Sequence, residues 1–165
     1  MKTTVVILAA GLGTRMRSKK AKVLHRAGGL PLVEHVVRAA RAVAEPERII
    51  VVTGHQAEAV EQALDGSGVR FARQTEQKGT GHALAQCREQ ASKLNGLLMV
   101  LVGDAPLLTA ETLVRLRDQQ AASSAAGSLN GSTTVSRAKA AGTPALSGCP
   151  WVNAPEPADT RSESE

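Results

Sequence analysis

The sequence predicts an α/β domain built around a mainly parallel sheet. Up to residue 118, short apolar runs bounded by turn residues alternate with stretches that have helical periodicity. The runs are apolar throughout and rich in β-branched residues, which is typical of strands buried on both faces. Strands that alternate with helices imply crossover connections, and these join parallel strands.

Each element is predicted from its own pattern. The helix after "RAGGL" has Pro31 near its first turn, where the missing N–H costs nothing, and Thr109 is a candidate N-cap for the last helix. The predicted strands are 4–9, 48–54, 69–74 and 97–104, and the predicted helices are 32–43, 56–64, 80–94 and 109–120.

Residues 1–118 and 119–165 differ in character. The second part consists mainly of Ala, Ser, Gly, Pro and Thr, and its few large apolar residues follow neither a helical nor a strand period. Such a segment buries too little apolar surface to offset the entropy of ordering it. We expect one folded domain over 1–118 and a disordered or loosely attached tail over 119–165.

Composition restricts the class of ligand. The net charge is +5 and the chain has two aromatic residues, one Phe and one Trp, so it lacks a stacking platform for single-stranded nucleic acid. No apolar run approaches the length of a membrane span. Two cysteines form no disulfide framework or metal-ligand spacing, and we expect Cys87 to be a small apolar helix residue. The sequence indicates a cytoplasmic protein that binds small anions, without nucleic acid or membrane partners.

A glycine-rich, basic loop follows the first strand. Gly11 and Gly13 would allow backbone N–H groups to approach a phosphate, although a glycine pair after a strand is often only a turn. Met16 stands where a dinucleotide-binding fingerprint needs its third glycine, and the Gly-Lys-Ser/Thr of a Walker loop is absent. Arg15 and Lys22 suit a triphosphate, because a guanidinium grips phosphate oxygens and an ammonium acts as a movable point charge. The alternative interpretation is that Arg15 and Lys22 belong to a solvated basic loop that binds no ligand.

The segment "RQTEQKGTGHA" carries the second candidate group. Gln74 and Gln77 have amides that can pair with the edge of a nucleobase, and Gly79 and Thr80 lead into a helix. Alone, this segment could equally be an exposed loop. We expect His82 to be a packing residue at the helix start rather than a catalytic base.

Asp104 ends the most apolar strand of the chain. A carboxylate there is costly unless a cation or hydrogen bonds compensate it. Beside a triphosphate it would be a natural ligand of Mg²⁺, which favours one or two carboxylates together with phosphate oxygens. The weaker alternative is that Asp104 caps the next helix.

Taken together, three motifs resemble the sugar-phosphate nucleotidyltransferases. They are "LAAGLGTRM" with "KVLH", then "QTEQKGTGHA", then "GDAPLL", in this order within residues 3–118. The likeness is greatest to the uridylyltransferase domain of bacterial bifunctional UDP-N-acetylglucosamine pyrophosphorylases. This resemblance implies a Rossmann-like fold, and a reaction in which UTP and N-acetylglucosamine 1-phosphate react in the presence of Mg²⁺, releasing pyrophosphate.

The resemblance also implies roles for individual residues. Arg15 and Lys22 would be catalytic through their charge on the phosphates, and Asp104 would bind the metal. Gln74 and Gln77 would lie by the uracil. The implied substrate-binding residues are Leu8, Ala9, Ala10, Gly11, Gly13, Lys22, Gln74, Gln77, Gly79, Thr80, Val102, Gly103 and Asp104.

The resembling part is shorter than the family's domain. The resemblance therefore implies that the fold is incomplete on its C-terminal side, without the family's sugar-binding residues. Three alternatives follow: an inactive nucleotide-binding remnant, a transferase for another sugar phosphate, and a less favoured nucleic-acid binder. Two glutamines do not by themselves distinguish uracil from thymine or cytosine.

Overall fold

A computed structural model describes residues 2–11, 18–76, 78–92, 94, 96–122, 127–130 and 133–137. Its main feature is a six-stranded sheet in the order β5-β4-β1-β6-β8-β7, beside a small two-stranded hairpin. The strands are β1 (Thr3–Leu8), β2 (Arg26–Ala27), β3 (Leu30–Pro31), β4 (Ile49–Thr53), β5 (Arg70–Arg73), β6 (Leu97–Val102), β7 (Gly127–Asn130) and β8 (Thr133–Arg137).

Four neighbouring strands, β5, β4, β1 and β6, run parallel. In the central strand, Val6 pairs with Ile50 on one side and with Val100 on the other. The predicted α/β class with a mainly parallel sheet is confirmed. Each of these four strands begins and ends within two residues of the predicted strand, whereas β2, β3, β7 and β8 were not predicted.

The sheet separates two hydrophobic cores. Successive side chains of a strand point to opposite faces, and accordingly Val5 and Ile7 enter one core while Val6 enters the other. Strands β4 and β6 divide their side chains in the same way. Each fully buried Val, Ile or Leu stabilises the fold by roughly 1.5–3 kcal/mol, so burial on both faces explains the uninterrupted apolar runs.

Helices cover both faces of the sheet. They are α1 (Leu32–Ala40), α2 (Ala57–Ala63), α3 (Thr80–Gln86), α4 (Arg88–Ser92) and α5 (Ala110–Ala122), with 3-10 turns at Lys22–Leu24 and Pro46–Arg48. The first core contains side chains of α1, α2 and α5, whereas the second contains those of α3 and α4. The helix predicted over 80–94 is divided at Cys87, which lies between α3 and α4 rather than within a helix. Cys87 is fully buried, and its thiol donates to the carbonyl of Leu84. No helix in the described part of the chain has the length and apolarity that a bilayer span requires.

Parts of the chain after residue 118 have regular structure within the described residues. Helix α5 continues to Ala122, and β8 pairs antiparallel with β6 while β7 pairs with β8. The composition of a segment does not reveal an unpaired sheet edge far away in sequence, and β6 supplies such an edge. The division of the chain into a domain over 1–118 and a separate tail stays a prediction.

Candidate functional site

The chain order of the strands predicts where a ligand binds. From β1 the chain proceeds to β4 and β5 on one side and then returns to β6 on the other. In open parallel sheets the crevice beyond the carboxyl ends of the strands at such a reversal is the usual binding site. A cavity of about 350 Å³ lies there, lined by Leu8, Ala10, Gly11, Lys22, Val23, Gln74, Gly79, Thr80, Ala83, Val102 and Asp104.

Backbone hydrogen bonds extend the sheet past the ends of its strands. The N–H of Gly103 donates to the carbonyl of Leu8 at 2.8 Å, and the N–H of Ala9 donates to that of Val52 at 2.8 Å. A β-carbon at position 103 would lie 3.0 Å from the Leu8 oxygen and 3.3 Å from the Ala9 β-carbon. Ala9 and Gly103, both predicted site residues, therefore join neighbouring strand ends, and neither is among the residues that line the cavity.

Lys22 and Asp104 form an ion pair in the wall of the cavity. The buried neighbours of Lys22 in the 3-10 turn, Val23 and Leu24, pack into the core next to the sheet and so fix the turn that carries the ammonium. The side chains of Lys22 and Asp104 are 43% and 27% exposed. Both charges therefore remain accessible to a ligand.

Asp104 does not cap the following helix. Thr109 does so instead: its hydroxyl accepts a hydrogen bond from the N–H of Thr112 at 3.2 Å, as the sequence predicts for an N-cap. The carboxylate of Asp104 thus points to the cavity with Lys22 as its partner. Among the residues that the structure describes, no three His, Cys, Asp or Glu side chains gather into a metal site. A single carboxylate fits a Mg²⁺ ion that arrives with a triphosphate, because phosphate oxygens complete its ligand set.

Gln74 is held with a defined amide orientation. Its residue is 6% exposed, and its backbone N–H donates to the carbonyl of Thr53 at 2.7 Å. Its Nε2 lies 3.4 Å from the carbonyl oxygen of Gly79 and 2.9 Å from Nδ1 of His82. Because a carbonyl oxygen can only accept, the NH₂ group must face Gly79 and His82. The side-chain oxygen of Gln74 is consequently the atom left to accept a hydrogen bond from a ligand.

His82 thus does more than pack at the helix start, which is the role the sequence predicts. Gln86 lies one helical turn further, with its Nε2 3.2 Å from Nε2 of His82. Because the NH₂ group of Gln74 faces Nδ1, that nitrogen accepts and the proton of the neutral ring lies on Nε2, so the NH₂ group of Gln86 is not its hydrogen-bond partner in this orientation. The imidazole therefore joins Gln74 of the cavity to helix α3.

Gly79 shapes the entry to helix α3. Its φ is +92°, a conformation that favours glycine, and a β-carbon there would meet no atom of the described residues within 4 Å apart from those of its chain neighbours. Its carbonyl also accepts from Ala83, which begins the helical hydrogen bonding. In the same loop, a hydrogen bond from Lys78 lowers the pKa of Glu76, so Glu76 is ionised at neutral pH.

The structure brings together nine of the predicted site residues around one cavity. They are Leu8, Ala10, Gly11, Lys22, Gln74, Gly79, Thr80, Val102 and Asp104. Three further predicted residues, Gly13, Arg15 and Gln77, lie outside the described residues, and their roles stay predictions.

Sequence reasoning missed Val23 and Ala83, which also line the cavity. Both signals were available in principle. Val23 follows Lys22 directly, and Ala83 stands three residues after Thr80, on the same side of helix α3. Apolar residues in these positions would otherwise be assigned to the core.

Two curated proteins are similar in sequence to most of this chain. The chain is 58% identical over 126 residues to the "Bifunctional protein GlmU" of Solibacter usitatus, covering 76% of this chain and 27% of that protein. It is 55% identical over 119 residues to the protein of the same name from Chromohalobacter salexigens, covering 72% and 26%. The matching part is thus about a quarter of the length of these curated relatives.

A solved structure shows the same fold. It is a nucleotidyl transferase from Methanothermobacter thermautotroptrophicus, with a TM-score of 0.64 and 30% identity. The match covers 71% of this chain and 57% of that one. A model of the MobA-like NTP transferase domain matches residues 5–158, which include every strand from β4 to β8 and the whole cavity. The chain belongs to the MobA-like NTP transferase domain family.

Proposed function

We propose that the chain transfers UMP from UTP to N-acetylglucosamine 1-phosphate, giving UDP-N-acetylglucosamine and pyrophosphate. The observation that carries the proposal is the meeting of Lys22, Asp104 and Gln74 around one cavity at the reversal point of the sheet. Family membership supports nucleotidyl transfer. The choice of UTP and of the sugar rests on the resemblance of the three sequence motifs.

Gln74 gives the cavity a group suited to uracil. Its side-chain oxygen can accept from the N3–H of the base, since its NH₂ group already faces Gly79 and His82. Gln77, the second glutamine of the motif, would add a further contact. The apolar lining residues Leu8, Val23 and Ala83 suit the faces of base and ribose.

The phosphates would lie over the end of β1. Gly11 lines the cavity, and among the described residues beyond its chain neighbours a β-carbon there would meet no atom within 4 Å, which leaves space for a ligand to approach the backbone. Lys22 and Arg15 would offset the charge of the triphosphate. Asp104 would hold Mg²⁺, which neutralises phosphate charge when bound.

The reaction needs no covalent bond to the protein. A phosphate oxygen of the sugar phosphate attacks the α-phosphorus of UTP and forms the new P–O bond. The bond from the α-phosphorus to the oxygen bridging to the β-phosphorus breaks in line, and the electron pair leaves with pyrophosphate. Lys22 and Arg15 act by positioning the triphosphate and by stabilising the charge that accumulates on the leaving group.

The test is product formation by the full chain with Mg²⁺, α-labelled UTP and N-acetylglucosamine 1-phosphate. We expect a labelled UDP-sugar together with an equal amount of pyrophosphate, and loss of both in Asp104→Ala. Product with a different sugar 1-phosphate would correct the acceptor and keep the reaction class. A folded chain that binds UTP and forms no product with any sugar phosphate would instead be a nucleotide-binding module.

A further inference from the structure

Gln56 holds the basic loop from outside the cavity. Its side-chain oxygen accepts from the N–H of Ala21 at 2.7 Å, and its Nε2 donates to the carbonyl of Lys19 at 2.8 Å. One side-chain amide thus forms hydrogen bonds with two backbone groups of the segment 19–21. The next residue along the chain is Lys22, which lines the cavity and pairs with Asp104.

The backbone of Gln56 is in the left-handed conformation, which residues with a β-carbon rarely adopt. Its φ and ψ are 55° and 42°, and among the described residues it alone has a positive φ without being glycine. Such strain persists only where the surroundings over-determine it, and it is common at functional sites. Here the conformation accompanies an amide that is bound at both its oxygen and its nitrogen.

The residues before Gln56 fix its position relative to the cavity. A β-carbon at Gly54 would lie 2.9 Å from the β-carbon of Ala10, so the turn after β4 packs directly on the end of β1. Ala10 lines the cavity. Gln56 therefore connects the end of β1 to the loop that presents Lys22.

We infer that Gln56 is a positioning residue for the nucleotide site. Its amide holds Lys22 in place through hydrogen bonds to the backbone of Lys19 and Ala21. The inference rests on the proposed function, because the group that Gln56 positions is the Lys22 ammonium, which is proposed to bind the triphosphate. Gln56 lies outside the lining of the cavity and is not a catalytic residue.

Two measurements on the full chain test this inference. The first is hydrogen exchange at the amides of Leu24 and His25, which close the 3-10 turn by donating to Ala21 and Lys22. We expect faster exchange in Gln56→Ala than in the wild type. Gln62→Ala is the matched control, since Gln62 is an exposed residue of α2, the helix that Gln56 precedes, and it should leave exchange unchanged.

The second measurement is UTP affinity. Loss of the two hydrogen bonds of Gln56 should weaken binding on the order of tenfold. If Gln56 acts through Lys22, Gln56→Ala should have no further effect on affinity in a Lys22→Ala background. A merely structural role would weaken binding equally in both backgrounds.

A rescue experiment tests whether restraint of the backbone at Ala21 is sufficient when the Gln56 side chain is absent. Ala21 has φ −53°, which is within the range that proline imposes. A proline ring would collide with the Gln56 oxygen in the wild type, because that oxygen lies 2.7 Å from the nitrogen of residue 21. We expect Ala21→Pro to weaken UTP binding alone and to restore it in the Gln56→Ala background.

Unchanged exchange of Leu24 and His25 in Gln56→Ala would overturn the inference, whether or not the chain binds UTP. Equal UTP affinity in wild type and Gln56→Ala would overturn it while leaving the proposed function intact. A wild type that binds no UTP would overturn the proposed function and with it the assigned role of Gln56.

Discussion

Lys22 and Asp104 neutralise each other in the wall of the cavity before any ligand arrives. The two groups are the ones that the sequence assigns to opposite tasks, the ammonium to phosphate and the carboxylate to metal. A triphosphate that carries Mg²⁺ offers both a new partner at once, an anion for Lys22 and a cation for Asp104. Binding of the nucleotide would therefore replace the Lys22–Asp104 ion pair with contacts of Lys22 to phosphate and of Asp104 to Mg²⁺.

Lys22→Ala should lower the rate of product formation by about 10²–10³, a loss typical of removing one preorganised group that stabilises transition-state charge. The pair is partly exposed, so the free energy of unfolding should change by less than about 1 kcal/mol. Single-turnover kinetics and urea denaturation measure the two effects. Arg38→Ala is the control, because Arg38 pairs with Glu34 in another part of the fold. A large stability loss with little change in rate would contradict the proposed role.

Gly11→Ala should weaken UTP binding without changing stability. The added methyl group would meet no atom within 4 Å in the described part of the chain beyond its neighbours, and Gly11 does not have a positive φ. The methyl group would project into open space at a residue that lines the cavity, where it obstructs close approach of phosphate to the backbone. Calorimetric titration with Mg–UTP and thermal unfolding are the measurements. Unaltered affinity would show that the triphosphate lies elsewhere.

Gln74→Glu should reduce both stability and UTP affinity. The carboxylate would face the carbonyl of Gly79 in place of an NH₂ donor, in a side chain that is almost fully buried. The mismatch should cost about 1–3 kcal/mol of folding free energy. Gln86→Glu is a suitable control, because Gln86 also contacts His82 but does not line the cavity. Equal losses in the two variants, in stability and in affinity, would count against the special role of Gln74.

The pair of Arg73 with Glu61 should contribute to stability in a pH-dependent manner. A hydrogen bond from Arg73 lowers the pKa of Glu61 below its ordinary value of 4.5, against a smaller opposing effect of burial. The stabilisation is therefore fully present above pH 4.5 and is lost as the pH falls through the lower pKa of the folded state. In Glu61→Gln, the acid limb of a plot of unfolding free energy against pH should be less steep. An unchanged limb would show that the pair does not contribute.

Cys87 should be unreactive in the folded protein. Burial raises the pKa of its thiol to about 12, so almost no thiolate exists at neutral pH, and the side chain is inaccessible. In a Cys149→Ser background, a thiol reagent at pH 8 should label no cysteine in buffer and one in denaturant. Rapid labelling in buffer would mean that helices α3 and α4 open readily.

The sequence was sufficient to predict the parallel sheet and most of the cavity, for a physical reason. Buried strands and the loops after them are local in sequence, and parallel strands bring their carboxyl ends to one edge. Contacts between distant segments were not predictable, such as the amide of Gln56 on Ala21 or the pairing of β8 with β6. Glutamine is common on surfaces, and the sequence around position 56 does not predict that Gln56 has a left-handed backbone conformation.

The measurement that tests the central claim most directly is the position of bound UTP, read from backbone amide chemical shifts as Mg–UTP is added to the labelled chain. The proposal predicts that the shifts concentrate at 8–11, Gln74, 79–80 and 102–104, around one cavity. Shifts confined to another depression, such as the one between Arg38 and Ser67, would contradict it, as would the absence of any shift at saturating nucleotide.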